Sequence, residues 1–337
     1  MLLFIYEFIT GGGLWSRPEW DKPSGSLLAE GRAMLAAIAS DFSQLDDTDV
    51  VVMQDTRVDL PAIPSVQLRP VGSDDAATER FAELTTNADA TLIIAPEIDN
   101  ELGKCCELVE QLGGNLLGTE PEFVRLTSDK HATAMHLAKA NVAVPQSFLV
   151  TEKEHINLPG PYIVKPRFGA GSGGVRLIQS LTDLSHAEHN QQHCVQTFAS
   201  GRSASVAVIR GPKGSVILPP CWQMLLPDSF DYAGGALISE TPKIARAKHL
   251  AELVTQAFPN ARGYFGIDLI LGPCDDGSED VVIEVNPRLT TSYVGLRAAL
   301  RINLSDILLR TMAGEIPSLP AANLTTHFDA AGNLISC

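Results

Sequence analysis

Basic residues are scarce in this chain. Against 40 Asp and Glu stand only 25 Lys and Arg in 337 residues, a formal charge of −15, and a surface of that sign repels phosphate backbones and anionic lipid. A general nucleic-acid coat and a membrane-surface role are thereby excluded, and a polyanionic substrate must be met by a few locally concentrated lysines and arginines. Paired cysteines are lacking too. Cys105, Cys106, Cys194, Cys221, Cys274 and Cys337 form no CxxC and have no histidine at metal-ligand spacing, so they read as reduced thiols of a cytoplasmic protein. No apolar run approaches the roughly 20 residues that span a bilayer. The apolar stretch Met1 to Tyr6 lacks a basic lead and runs into Glu7 and Gly11 to Gly13, so it reads as a first strand and not as a leader. A GxxxxGK[ST] run is absent as well, which excludes a Walker-type phosphate loop.

What is present is material for packed cores: 45% of residues are apolar and 19% charged, and the length suggests about two domains at roughly 150 residues each. Short apolar runs at 2–8, 50–54, 65–68 and 90–96 read as strands. Helical patterns at 27–39, 75–87 and 101–112 lie between or after them. This alternation predicts a parallel α/β sheet of about 120 residues. A helix over 121–140 and a strand over 146–150 follow. Beyond them the rhythm changes to strands at 162–166, 175–178, 194–198, 204–210, 216–218, 266–271 and 281–286, with one helix over 243–258. The C-terminal half is thus expected to be α+β. The acidic run Asp275 to Asp280 reads as a solvated hairpin loop, because it lacks EF-type spacing.

Gly169-Ala-Gly171-Ser172-Gly173-Gly174 formally matches GxGxxG, yet a strand and not a helix follows it, so the dinucleotide fingerprint is not met. A glycine loop between two strands, with Lys165 on the leading one, reads as a flap whose backbone N–H groups close over phosphate oxygens. Downstream, Asp268 and Glu284 interrupt apolar strands joined by a short hairpin. Glu284 and Asn286 are two apart and share a face, which Asp268 can reach from the neighbouring strand. Two carboxylates and an amide oxygen are hard ligands suited to Mg²⁺.

Lys130, Tyr162-Ile-Val-Lys165-Pro166 with its flap, Val195-Gln-Thr-Phe-Ala-Ser-Gly201, Asp268 and Glu284-Val-Asn286-Pro-Arg288 together resemble the ordered motif set of the ATP-grasp superfamily of carboxylate–amine ligases. The resemblance implies an α/β N-terminal domain with a parallel sheet (1–120), then a two-lobed α+β fold: a small lobe with the flap (121–195) and a large lobe with the metal site (196–337). It implies ATP and Mg²⁺ (Mn²⁺ as an alternative) as cofactors. Lys130 and Lys165 would contact phosphates, as would Gly169, Gly171, Ser172, Gly173 and Gly174 of the flap. Gln196, Thr197 and Phe198 would form a hinge reading adenine. Asp268, Glu284 and Asn286 would hold metal, and Arg288 with Lys165 would act on the γ-phosphate and acyl phosphate. Where the family usually has a ribose-binding Glu this chain has Ser203.

The opening strand with its glycines, the helix around Ser26 to Leu35, and Ile93-Ile-Ala-Pro-Glu97 resemble the branch of tyramine–L-glutamate ligases of methanofuran and methylofuran biosynthesis. Glutamate and a tyramine-like amine are then the expected small-molecule substrates, with a homodimer left open. At the substrate end, Thr290, Thr291 and Ser292 lead into a helix whose N-terminus can hold a carboxylate. Tyr232 and Gly234 are read as part of a loop near the acceptor. Glu7 and Glu97 end two N-terminal strands where α/β sheets bind ligands, with Gly11 and Gly12 beside them, and an ammonium group is their expected partner. The alternatives are an amino-acid ligase of D-alanine–D-alanine type, a carboxylase subunit, or a nucleotide-binding regulatory module without turnover.

Overall fold

The structure, a computed structural model, describes residues 1–17, 22–171, 173–226 and 229–335. It opens on four parallel strands, β1 (Leu2–Glu7), β2 (Asp49–Asp55), β3 (Val66–Val71) and β4 (Ala90–Ile94), in the order β3-β2-β1-β4. The crossovers are α1 (Gly25–Phe42), α2 (Asp74–Asn87) and, after β4, α3 (Glu101–Gln111). Strands β1, β2 and β4 are near-continuous apolar runs because helices cover both faces. On one face Leu3, Ile5, Val50, Val52 and Leu92 pack with Leu35 and Ile38 of α1. On the other, Phe4, Val51 and Ile93 meet Phe81 of α2 and Leu102 of α3. Each fully buried side chain of this size contributes about 1.5–3 kcal/mol.

The helix expected over 121–140 is two helices, α4 (Pro121–Ser128) and α5 (Lys130–Lys139). Asp129 divides them, its carboxylate accepting from the His131 and Ala132 amides as the N-cap of α5. A cap residue needs extended backbone, so the chain turns there. Strands β5 (Ser147–Leu149), β6 (Tyr162–Pro166), β7 (Arg176–Ile178) and β8 (His193–Thr197) form a small antiparallel sheet in the order β5-β8-β6-β7. The glycine segment joins β6 to β7, so a strand does follow the glycines.

The remaining strands are β9 (Arg202–Arg210), β10 (Ser215–Ile217), β11 (Cys221–Leu225), β12 (Tyr232–Leu237), β13 (Gly263–Leu271), β14 (Val281–Asn286), β15 (His327–Asp329) and β16 (Leu334–Ile335). They build the large sheet β14-β13-β9-β11-β12-β15-β16, with β10 also on β9. Helix α6 (Thr241–Ala257) covers one face through Ala247, Leu250, Ala251 and Val254. Helices α7 (Ser292–Leu300) and α8 (Leu304–Met312) cover part of the other and join the core that α1 shares. Residues 232–235, expected as a loop, begin β12 instead. The glycines that suggested a loop let strands and rings approach: a Cβ on Gly234 would stand 2.2 Å from the Phe328 carbonyl oxygen, and one on Gly235 2.5 Å from the Phe328 ring.

One buried polar knot ties the two ends of the chain. Asp41 of α1 accepts from the Tyr293 hydroxyl at 2.7 Å and from Arg297, both on α7, while its carbonyl accepts from Asn303 at 2.6 Å. Burial raises the Asp41 carboxyl above its ordinary range, and Tyr293 and Arg297 pull it back.

Gly295 of α7 tests this packing, because a Cβ there would lie 2.2 Å from the fully buried Phe328 ring. Gly→Ala inside an unobstructed helix stabilises by roughly 0.5–1 kcal/mol, whereas overpacking costs about 1–3 kcal/mol. Gly295→Ala should therefore lower the thermal midpoint. A raised midpoint would show that β15 does not pack on α7.

Candidate active site

The small sheet, the large sheet and the loop after β14 enclose a cleft of about 260 Å³. Its floor is one face of the large sheet, because residues two apart on a strand point the same way. Ser203 and Ser205 come from β9, Gln223 from β11, Tyr232 from β12, Asp268 from β13, and Glu284 and Asn286 from β14. Asp268 stands directly opposite Glu284 in the antiparallel register, and Gly266 opposite Asn286. The roof is Ile163 and Lys165 of β6, Gln196 and Thr197 of β8, Phe198 just beyond, and Gly171 of the flap.

Putting two carboxylates opposite each other in a cleft is unfavourable unless cations or hydrogen-bond donors intervene, and both are drawn in. Lys130, 7% exposed, brings its Nζ to 3.1 Å from Glu284 and donates to the Gly169 carbonyl at 2.9 Å. Asp268 accepts from Gln223 at 2.8 Å and from Asn286 at 3.1 Å. Burial, then the Glu284 charge, push Asp268 up to about 7. Burial acts on Glu284 in the same sense, but Lys130 and Lys165 outweigh it and hold Glu284 at about 2. Lys165 is 3% exposed and has no carboxylate within 4 Å among the described residues; burial lowers its pKa and Glu284 opposes this. A buried ammonium without a carboxylate partner carries an uncompensated desolvation cost.

The flap is clamped at its base and open at its tip. Arg167 pairs with Asp129, the α5 cap, and its carbonyl accepts from the Lys130 amide at 3.0 Å. A Cβ on Gly171 or Gly173 would meet nothing within 4 Å, and Gly171 and Gly174 take positive φ. Gly169, Gly173 and Gly174 do not line the cleft, and Ser172 falls outside the described residues. Of the hinge trio, Thr197 and Phe198 already donate their amides to Gln146 and Pro161. The buried Gln196 side-chain nitrogen, by contrast, has no partner among the described residues.

The substrate-end residues divide. Tyr232, Thr290, Thr291 and Ser292 line the cleft; Glu7, Gly11, Gly12, Glu97 and Gly234 do not. Glu7 turns its carboxylate on its own loop, accepting from the Thr10 amide and hydroxyl at 2.7 Å each and from the Ile9 amide at 3.2 Å. Gly11 and Gly12 are buried beneath Tyr6 and Val71. Glu97 grips Arg288 with both oxygens, at 3.0 and 3.1 Å, and so holds a cleft residue in place of meeting an ammonium itself. Burial disfavours the Arg288 charge, and Glu97 more than restores it. Sequence reasoning missed Glu30, Ser205, Gln223, Leu225 and Phe230, all in the wall. Gln223 alternates with apolar neighbours on β11 and carries a faint strand signal; Glu30 sits on a helix where an acidic residue reads as solvated.

This geometry has relatives. Residues 127–292 match the ATP-grasp domain family and residues 48–124 match the pre ATP-grasp 3 domain. The chain carries an ATP-grasp domain and is an ATP-dependent ligase. It is 23% identical to the tyramine–L-glutamate ligase of Methanocaldococcus fervens, over 86% of this chain and 89% of that one. Among solved structures it resembles an ATP-grasp superfamily protein from Archaeoglobus fulgidus (TM-score 0.72, 23% identity, 97% of this chain and 91% of that one). It also resembles the N5-carboxyaminoimidazole synthetase of Staphylococcus aureus solved with ADP (TM-score 0.69, 18% identity, 97% and 80%). The ligase uses ATP, and no helix among its described residues is long and apolar enough to cross a membrane.

In a chain of charge −15, a triphosphate would have to be met by locally concentrated cations, and Lys130 and Lys165 are the buried lysines lining this cleft. Lys165→Ala should weaken ATP binding at least tenfold, about 1.4 kcal/mol. Calorimetric titration giving the wild-type affinity would remove Lys165 from the nucleotide site.

Proposed function

We propose that this ligase condenses a carboxylic acid, L-glutamate first among candidates, with an arylalkylamine of tyramine type through an acyl phosphate. A single observation carries the reading: Lys130, Lys165, Asp268, Glu284, Asn286 and Arg288 line one cleft. The name of the Methanocaldococcus fervens relative supplies the substrate pair, and Leu225, Phe230 and Tyr232 in the cleft wall suit the apolar body of an aromatic amine. The same likeness supports a place in the synthesis of a methanofuran- or methylofuran-type one-carbon cofactor, and boundaries near 120 and 195 for the three structural units.

The donor set fits Mg²⁺. Burial and the facing Glu284 disfavour the Asp268 charge, and a divalent cation relieves both penalties without a proton; Asn286 adds a neutral oxygen. Asp268, Glu284 and Asn286 would hold the ion, which when bound neutralises phosphate charge. Around it the chain's own groups act. Lys130 and Lys165 stabilise the charge of the phosphates, and the flap covers them and excludes water. Arg288, oriented by Glu97, faces the phosphoryl group moving to the carboxylate. Positioning and charge stabilisation are what such a transfer requires.

Cleavage should then fall at the γ-phosphate. With tyramine and ¹⁸O-carboxyl-labelled L-glutamate the products should be ADP, amide and orthophosphate carrying one label; AMP, or unlabelled phosphate, would be incompatible with an acyl phosphate. Glu284→Gln changes charge at nearly constant volume, so the fold should persist while Mg²⁺-dependent ADP release falls at least 100-fold. Near-wild-type release at saturating Mg²⁺ would show that Glu284 is not a ligand.

A further inference from the structure

Three carboxylates line the cleft among the described residues: Asp268, Glu284 and Glu30. The first two are engaged with each other, with Asn286 and Gln223, and with Lys130. Among the described residues Glu30, brought in by α1 from the N-terminal unit, accepts one hydrogen bond, from the Thr291 hydroxyl at 3.1 Å, and no lysine or arginine forms an ion pair with it. Its surroundings are the substrate end: Thr291, Arg288, Asp231 and Tyr232, whereas Lys130 and Lys165 face Glu284.

We propose that Glu30 is the catalytic residue that receives the amine substrate and takes the proton from its nitrogen. This rests on the acyl-phosphate reading above. An alkylamine arrives as R–NH₃⁺, which has no lone pair, so a base must act before attack. The Glu30 carboxylate takes one proton. The freed nitrogen pair then forms the C–N bond at the acyl carbon, and the C–O bond to phosphorus breaks with its electron pair on the phosphate. That phosphate accepts the second nitrogen proton, leaving amide and HPO₄²⁻, and Glu30 returns its proton to water.

Position and environment both suit this work. Burial raises the Glu30 carboxyl above its ordinary range; Thr291 and Arg288 oppose the shift and Asp231 adds to it. A stronger base results than a solvated carboxylate offers. The residue is also held still. Gly31 lies against the Glu7 carboxylate, where a Cβ would come to 2.7 Å, and Asp41 further along α1 is tied to α7. Glu7 therefore acts as a support for the helix that presents Glu30.

Hydroxylamine separates the roles, since it is neutral at pH 7 and attacks an acyl phosphate without a base. With ATP, Mg²⁺ and L-glutamate, Glu30→Gln should form hydroxamate within threefold of wild type and with unchanged KM for glutamate. With tyramine in place of hydroxylamine, kcat/KM for the amine should fall at least 100-fold, within the range for loss of a general base, and Glu30→Asp should recover part of it. Equal loss of both reactions, retention of both, or a raised KM for glutamate would overturn the assignment. Failure of the wild-type enzyme to form hydroxamate would overturn the acyl-phosphate reading instead.

Discussion

Two carboxylates held face to face govern this structure. Asp268 and Glu284 are register partners on β13 and β14, and neither strand can shift by one residue without turning its carboxylate into the apolar side of the sheet. Their repulsion is met by the Lys130 ammonium and by the amides of Asn286 and Gln223, and it raises the Asp268 carboxyl above its ordinary range. Lys130 in turn sits at the start of α5, which begins where it does because Asp129 caps it. Asp129 also pairs with Arg167 at the root of the flap. One electrostatic demand thus links the large sheet, α5 and the flap.

The N-terminal unit contributes through the same kind of coupling over long distances in sequence. Glu97, just past β4, fixes the Arg288 guanidinium by two oxygens. A bidentate pair of this kind sets orientation as well as charge, and with both partners mostly buried it would be costly to break. Helix α1 enters the site from the other side, held by Asp41 on Tyr293 and Arg297 and by the close approach of Gly31 to Glu7. The α/β unit is therefore a scaffold for two cleft residues, Arg288 and Glu30, and its own strand ends meet protein groups.

Much of this was legible from residue order alone. Period-two polar residues in apolar strands placed Asp268, Glu284 and Asn286 on one face, and the strand after Gly174 separated the flap from a dinucleotide loop. The alternation of apolar runs and helical patterns up to residue 112 announced the parallel sheet. These features are local: each depends on side-chain spacing within one element or one hairpin, which sequence states directly. Local reading failed where two signals compete. Gly234 and Gly235 carry the mark of a loop, yet they lie in β12 because Phe328, almost a hundred residues later, needs the space.

What the tertiary structure alone decided is who faces whom across the chain. Glu7 and Glu97 look alike in sequence, acidic residues closing parallel strands, but one folds back on its own turn and the other reaches 191 residues away to Arg288. Glu30 carries no motif at all: on an isolated helix it would be a solvated charge, and it becomes a cleft carboxylate only because α1 packs against α7. Sequence determined the chemistry on offer, the lysines, the carboxylates and the glycine flap, since residue types and spacings within an element suffice for that. Which of those groups is spent holding another and which is left to meet a substrate was decided by packing, because burial and long-range pairing set both the orientation and the charge of each group.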